Sequence, residues 1–410
     1  MRGRTSAALL AVAALTAACT PSTENSSTST TSTSITSMST PATAGPTAIT
    51  PVLSDVVAEP IPVRATDGKV HLAYELKLTN VLDQEVTLTS VEVRAADHTL
   101  LNLAGDRLAY WTRVIGKQTP TTKLGPAQSA AVWLDVVLDP DDTVPTELMH
   151  TVGVTLAQPK PPLFPANTTE TVAPVTVQTR KSPVIAPPLV GPNWVDANSC
   201  CDMTPHRMAL NPLNGQLWAA ERFAIDYVQL LPDGRMFSGD KTRLESYPGF
   251  GAEIHAVADG TVAAVVDGLP EQVAGTNPSG LSLDQYPGNR IIEDLGDGNY
   301  AMYAHLETGS IKVKAGDRLT SGQVIALLGN SGNTDGPHLH FQVMSTPDPL
   351  RANGLPFLLS AFRLDGRIAS MDAEGAIEAG LPAPMQPGFT PRDESAVGPL
   401  VLDVMTYANG

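Results

Sequence analysis

Residues 338–343 read HLHFQV, a stretch in which polar and apolar side chains alternate. Alternation of this kind is typical of a β-strand that packs one face on a core and turns the other toward a cleft. His338, His340 and Gln342 share one face, because side chains two residues apart in a strand point to the same side. Two imidazoles on one face of a strand are a familiar arrangement in metal-binding sites. The stretch therefore predicts a strand whose histidines are candidates for a functional site.

Short strand patterns continue upstream of this motif, and turn-forming residues separate them. A Gly-Asp-Gly-Asn turn at residues 296–299 predicts that two of the strands form a hairpin. We expect a β-rich domain over residues 200–365 and an irregular tail over residues 366–410, where no strong period is present. Besides residues 338–344, the predicted strands are residues 222–231, 254–266, 290–295, 300–306 and 324–328.

The N-terminal half has a period of two, as in residues 70–78 and 132–138. Turn clusters separate these runs, and no segment sustains a helical period, so we predict an immunoglobulin-like β-sandwich over residues 51–182. A proline-rich linker over residues 183–199 joins it to the second domain. His71, His98 and His150 are scattered along the sandwich, and we interpret them as surface or strand residues without a catalytic role.

Residues 1–18 have the pattern of an export signal, with two arginines before a short apolar run. The residues before Cys19 resemble a bacterial lipoprotein signal, which implies that Cys19 is lipidated. The alternative is an ordinary secretory peptide with an incidental cysteine. Residues 19–50 are rich in Ser and Thr and predict a flexible tether. The protein is therefore expected in the cell envelope, outside the cytoplasm and lipid-anchored to the bacterial cell membrane.

Composition excludes one class of partner. The formal charge is -16 and the sequence has no basic cluster, so nucleic acid is not an expected ligand. A hydrophobic content of 42% is sufficient for true cores, and 410 residues exceed what one ordinary core supports. Two folded domains are the result we expect.

A series of segments along residues 223–341 resembles the lysostaphin-type, or LytM-like, zinc endopeptidases that cleave peptidoglycan cross-links. The resemblance implies a compact antiparallel β-fold that holds one zinc ion through a His-x-x-x-Asp pair and the second histidine of His-x-His. Asp226 and His340 match these ligands, whereas His305 and His338 match the pair that handles the proton and steadies the oxyanion. The segments are FAID (223–226), AVADGTV (256–262), YAHL (303–306), VKAGD (313–317), GQVI (322–325), GNSGN (329–333) and GPHLHF (336–341).

The sequence departs from this family at the first ligand, where Arg222 stands in place of the expected histidine. A guanidinium cannot ligate zinc, so either another residue completes the site or the site is degenerate, with Arg222 neutralising Asp226 on one strand face. His206 is the candidate replacement, if a β-turn around residues 211–215 folds its segment back alongside Asp226. The other interpretation of His206 is a surface histidine.

Three further residues are weaker candidates for the missing ligand. His255 lies among apolar neighbours and is interpreted as structural. Cys200 and Cys201 are adjacent, and in an oxidising compartment we expect a vicinal disulfide or unmodified thiols rather than metal ligation.

Together, the resemblance and these residues predict a Zn²⁺-dependent endopeptidase that hydrolyses peptide stems or cross-links of peptidoglycan. The alternative is a catalytically degenerate lipoprotein that binds peptidoglycan or activates another hydrolase. A third interpretation makes the sandwich the working part, as an adhesion or docking module. The sequence leaves a protein regulator open as a further partner.

Overall fold

The computed structural model describes residues 49–408, and within them the chain is mainly β, which confirms the predicted class. The first group of elements builds the N-terminal part. It comprises β1 (Val52–Val56), β2 (Val63–Arg64), β3 (Val70–Asn80), β4 (Val86–Ala95), β5 (His98–Ala104), α1 (Gly105–Tyr110), β6 (Thr112–Val114), β7 (Lys123–Leu124), β8 (Ser129–Leu138), β9 (Glu147–Leu156) and β10 (Asn167–Thr176).

These strands form two sheets. One sheet has the order β1-β3-β8-β6, with β2 on β3, and the other has the order β10-β9-β4-β5, with β7 on β4. Apolar side chains from both sheets share one buried core, for example Leu72 and Leu134 from the first sheet and Val91 and Val152 from the second. The N-terminal part is therefore a β-sandwich, and its immunoglobulin-like type stays a prediction.

Strand β3 differs from the half-buried strand that its sequence predicts. Residues 71–76 are buried on both faces. One face carries Leu72 and Leu76 into the sandwich core, while Ala73 on the other face packs with Phe223 of the C-terminal part. The second face is covered because the two parts of the chain pack against each other, and a period of two cannot reveal such long-range burial.

The C-terminal part contains the remaining elements, together with 3₁₀ turns at Leu244–Ser246 and Met371–Ala373. They are β11 (Val184–Ile185), β12 (Gly191–Ala197), α2 (Pro205–Met208), β13 (Asn211–Leu213), β14 (Gln216–Trp218), β15 (Ile225–Gln229), β16 (Glu253–His255), β17 (Gly260–Val266), β18 (Arg290–Gly296), β19 (Asn299–Ala304), β20 (Arg318–Leu319), β21 (Val324–Leu327), β22 (Leu339–Met344), β23 (Gly354–Leu355), β24 (Leu358–Leu359), β25 (Phe362–Arg367), α3 (Glu374–Glu378), β26 (Arg392–Glu394) and β27 (Asp403–Tyr407).

One large sheet dominates this part, with the order β20-β17-β18-β19-β22-β15-β12-β27-β25-β26 and with β23 on β22. The predicted hairpin is confirmed, because β18 and β19 pair antiparallel across the turn at residues 296–299. Strand β22, which contains the HLHFQV motif except its first histidine, lies between β19 and β15. The motif is thus at the centre of the sheet, where neighbouring strands can place side chains on either side of it.

Two expectations about the ends of this domain are wrong. The predicted linker over residues 183–199 contains β12, and the predicted irregular tail over residues 366–410 contains β26 and β27. Strand β27 pairs with both β12 and β25, so the tail completes the large sheet. Strands β12 and β27 are short, and they pair with each other although they are far apart in sequence, which local periodicity does not register.

The predicted export signal, Cys19 and nearly all of the tether lie outside the described residues. Within residues 49–408, no helix has the length and apolar character needed to cross a bilayer. The lipid anchor therefore stays a prediction.

A buried histidine lies between two carboxylates of the sandwich. Nδ1 of His71 lies 2.8 Å from Oδ2 of Asp135, and Nε2 lies 3.1 Å from Oδ2 of Asp67. Burial alone would lower the pKa of His71, but the hydrogen bonds and charges of Asp135 and Asp67 outweigh it and raise the pKa to about 9. His71 is therefore charged in the folded protein near neutral pH and is not a simple surface residue.

We predict that the stabilising effect of His71 depends on pH. Because its folded-state pKa lies above the unfolded value of 6.5, the effect is complete below pH 6.5 and disappears as pH rises through about 9. His71→Gln should lower the free energy of unfolding by about 2 to 3 kcal/mol at pH 6 and by much less at pH 10. Urea denaturation of both proteins at pH 6, 8 and 10 measures the difference, and a difference that does not change with pH would contradict the assignment.

Candidate active site

The register of three strands brings the candidate residues together. His340 on β22 lies directly opposite Asp226 on β15 and opposite Ala304 on β19. His305 follows Ala304 at the end of β19. On the other side of β15, Asp226 pairs with Ala197 of β12, so Asn198 leaves that strand beside the same carboxylate.

Asp226 is the centre of the site and is buried. Its Oδ1 lies 3.0 Å from Nδ1 of His340 and 3.3 Å from Nε2 of His338. Its Oδ2 lies 3.2 Å from Nε2 of His206 and accepts a hydrogen bond of 2.8 Å from Nδ2 of Asn198. The structure thus brings His206, His338 and His340 to one carboxylate.

Hydrogen bonds on the far side of two rings determine which nitrogen faces Asp226. Nδ1 of His206 donates to the carbonyl oxygen of Ala224 at 3.1 Å, and Nε2 of His340 donates to Oε1 of Gln342 at 2.9 Å. In each neutral ring the remaining nitrogen presents a lone pair to Asp226, and lone pairs repel a carboxylate unless a proton or a cation lies between them. The arrangement is therefore one that a cation stabilises.

The pKa values also indicate that positive charge is favoured beside Asp226. Burial alone would raise the pKa of Asp226, but the charges of His206 and His338 hold it well below its usual value. Burial alone would lower the pKa of both histidines, but Asp226 outweighs it, raising the pKa of His206 to about 9 and that of His338 above its usual value. The carboxylate thus stays ionised and attracts positive charge to this point.

His305 has the opposite character. Burial, together with the charges of His338 and His340, lowers its pKa well below the usual value. Its Nδ1 donates to the carbonyl oxygen of Ser331 at 2.8 Å, which leaves Nε2 as the unprotonated nitrogen. Its ring centre lies 4.8 Å from that of His338. His305 is therefore a neutral imidazole beside His338, whose pKa is shifted in the opposite direction.

Close backbone packing fixes the Ser331 carbonyl that orients His305. Gly288 has a φ of 68°, and a Cβ atom there would collide with the Ser331 carbonyl oxygen. The backbone passes this point only because residue 288 has no side chain.

His206 reaches the site on the short helix α2. Thr204 caps this helix, with its hydroxyl accepting from the Arg207 amide at 3.2 Å, and Pro205 occupies the first turn. The turn that we expected around residues 211–215 is present as the hairpin between β13 and β14. His206 is buried rather than on the surface, and its ring centre lies 4.8 Å from that of His340.

Arg222 does not neutralise Asp226, so this one of the two alternatives is wrong. It precedes the first residue of β15 and does not share a strand face with Asp226. Its guanidinium binds the carboxylate of Glu75 in the sandwich instead, with Nε 3.0 Å from Oε1. The side chain that lies beside Oδ2 of Asp226 is instead His206, whose Nε2 is 3.2 Å away.

The weaker ligand candidates lie elsewhere. Cys200 and Cys201 form a vicinal disulfide, so neither offers a free thiolate. His255 contacts the carbonyl oxygen of Gly322 through Nδ1 at 2.9 Å and does not line the cleft.

The residues present fit a zinc ion. His206, Asp226 and His340 each offer one ligand atom, and these atoms all lie within 4.8 Å of one another. Ligand atoms of one tetrahedral zinc ion are about 3.4 Å apart, close to the contacts between the two imidazoles and the carboxylate. Two imidazoles and one carboxylate are also a common ligand set of catalytic zinc, with the fourth position left for water.

The site opens into a cleft of about 660 Å³. One wall includes Tyr247 and Tyr286, and another is formed by residues 368–378, including Ile377 and Glu378. Sequence reasoning missed both this wall and Asn198. Residues 368–378 had no periodicity that distinguished them from a loop, and an asparagine after a strand carries no signal of the carboxylate that it meets.

Comparison with known proteins gives a family match over part of the chain. Residues 247–352 match Peptidase family M23. His305, His338 and His340 lie inside the matched range, whereas His206 and Asp226 lie before it.

Two curated relatives are similar over about a quarter of this chain. The chain is 33% identical over 95 residues to the peptidoglycan DD-endopeptidase ShyA of Vibrio cholerae, covering 23% of this chain and 22% of ShyA. It is 37% identical over 103 residues to the glycyl-glycine endopeptidase ALE-1 of Staphylococcus capitis, covering 24% of this chain and 26% of ALE-1. The chain thus spans about a quarter of the length of these relatives.

Among solved structures, the chain is similar to a zinc-containing peptidase from Vibrio cholerae. The identity is 16%, the coverage is 69% of this chain and 80% of that chain, and the TM-score is 0.25. The sequence match to the family identifies residues 247–352 as a peptidase M23 domain.

Proposed function

We propose that this protein is a zinc-dependent endopeptidase that hydrolyses peptide stems or cross-links of bacterial peptidoglycan. The observation that carries the proposal is the convergence of two imidazole nitrogens, one from His206 and one from His340, on the buried carboxylate of Asp226. Their far nitrogens are already hydrogen-bonded, so the facing atoms are available as ligands. In this proposal His206, Asp226 and His340 hold the metal.

The other two histidines of the site, His305 and His338, have the properties that amide hydrolysis needs. When bound, zinc would act as a Lewis acid that lowers the pKa of a water molecule toward neutrality. Neutral His305 is suited to accept a proton, since its Nε2 is unprotonated. His338 has a raised pKa and is suited to donate a hydrogen bond to the carbonyl oxygen as negative charge develops on it.

The substrate class follows from the M23 domain and its relatives. The two curated relatives are a peptidoglycan DD-endopeptidase and a glycyl-glycine endopeptidase, so they share peptide-bond hydrolysis and differ in the peptide bond. A cleft of about 660 Å³ has the volume to hold a short peptide. We therefore propose the class of substrate and not a particular bond.

We also propose that the protein works from the membrane surface. Lipidation at Cys19 and a flexible tether over residues 19–50 would hold the catalytic domain within reach of the wall. The competing proposal, a degenerate protein that binds the wall or activates another hydrolase, has less support, because Arg222 leaves Asp226 free for a metal.

The zinc content of the protein tests the proposed ligand set. The purified chain should bind one zinc ion, and His206→Ala should lower the affinity at least 100-fold, because two ligands remain where three are needed. Elemental analysis after dialysis and competition with a chelator measure both quantities. The control is His255→Ala, a histidine outside the site, which should bind as wild type does. Unchanged affinity in His206→Ala would remove His206 from the ligand set.

The release of peptides from cell walls tests the proposed activity. Purified cell walls should release soluble peptide fragments with this protein, and a chelator should stop the release until zinc is restored. His338→Ala should lower kcat at least 100-fold while its zinc content stays near one, because His338 assists the reaction without being a ligand. Tight wall binding without any release by the zinc-loaded wild type would favour the degenerate protein instead.

A further inference from the structure

A buried charge cluster joins the sandwich to the segments that deliver His206. Glu75 on β3 is fully buried, and so is the side chain of Arg207, while that of Arg222 is 3% exposed. The Glu75 carboxylate accepts hydrogen bonds from Nη1 of Arg207 at 2.9 Å and from Nε of Arg222 at 3.0 Å, and Nη2 of Arg222 binds its second oxygen. One carboxylate of the N-terminal part thus holds two guanidinium groups of the C-terminal part.

Both arginines are close in sequence to groups that contact the His206 ring. Arg207 follows His206 in α2. Arg222 lies two residues before Ala224, whose carbonyl oxygen accepts the hydrogen bond from Nδ1 of His206. Glu75 therefore ties together the helix that carries the ring and the turn that orients it.

The sandwich makes a second contact with the same helix. Nη2 of Arg207 donates to the carbonyl oxygen of Leu134 on β8 at 3.1 Å. The Arg207 guanidinium is thus bound by two neighbouring strands of one sheet, and it cannot move without losing both partners. Because these side chains are buried, removing the carboxylate would leave two buried cations without the anion that they both bind.

We infer that Glu75 is a positioning residue for the metal site, so that the sandwich completes a site whose ligands all lie in the C-terminal part. This inference rests on the proposed function, because it requires that His206 is a ligand. It also accounts for the departure at residue 222. Arg222 is the partner through which the sandwich holds the Ala224 carbonyl in place, and His206 supplies the ligand.

Other contacts between the two parts provide a contrast. Arg180 binds Oδ1 of Asn299 at 2.6 Å and the carbonyl oxygen of Gly298 at 2.8 Å, far in sequence from the segments around His206. A general loosening of the interface would follow from losing either contact. If loss of Glu75 weakens metal binding and loss of the Arg180 contact does not, the effect is transmitted by the contacts of Glu75 with Arg207 and Arg222.

The experiment measures the zinc affinity of the full chain by competition with a chelator. Glu75→Gln keeps the shape of the side chain and removes its charge, and we expect a 10- to 100-fold loss of affinity, the usual effect of losing a partner that orients a ligand. Glu170→Gln is the matched control, since Glu170 is a buried glutamate of the same sandwich that binds neither arginine. It and Arg180→Ala should stay within twofold of wild type.

A double-mutant cycle tests whether Glu75 acts through His206. In the His206→Ala background, Glu75→Gln should cause no further loss beyond about twofold, because the ring that it positions is already absent. An equal loss in both backgrounds would overturn the inference and indicate a merely structural role. The visible spectrum of the cobalt-substituted protein gives a second readout, and Glu75→Gln should change it while Glu170→Gln should not.

A variant without the buried charges covers the case in which Glu75→Gln does not fold. Glu75→Leu combined with Arg207→Met and Arg222→Met replaces the cluster by apolar groups, which buried ion pairs often tolerate. We expect this variant to fold and to bind zinc at least 10-fold more weakly than wild type, whereas wild-type affinity in the folded variant would overturn the inference. Failure of wild type itself to bind zinc would instead contradict the proposed function.

Discussion

The buried carboxylate of Asp226 is the group on which the site depends. Three histidines lie about 3 Å from its oxygen atoms. His206 comes from α2, whereas His338 and His340 come from the start of β22 and the residue before it. A buried carboxylate needs compensating charge or hydrogen bonds, and here both are supplied by residues that can also bind or activate other groups. The sheet places this carboxylate through one register, in which β15 pairs with β22 on one side and β12 on the other.

The same carboxylate separates the histidines into two kinds. His206 and His338 face it directly, and its negative charge raises their pKa values. His305 lies one step further away, behind the other rings, and stays neutral. Side chains of one chemical type thus acquire different pKa values from their positions around a single negative charge.

Much of the site could be predicted from local sequence, because its determinants are local. The alternation in HLHFQV defines β22, and the turn residues after Gly296 define the hairpin beside it. Arg222 was misplaced because the strand was expected to begin three residues too early, before Ile225. Its true partner, Glu75, lies 147 residues away in another domain, and no periodicity carries information over such a distance.

The position of β27 bears on when the site can form. Residues 403–407 pair with residues 191–197, and β12 in turn supports the strand that carries Asp226. Bringing together partners so far apart along the chain is entropically slow, and native pairings of this kind form late in folding. A molecule in which residues 403–407 have not yet paired would therefore lack part of the sheet that supports β12 beside the strand of Asp226.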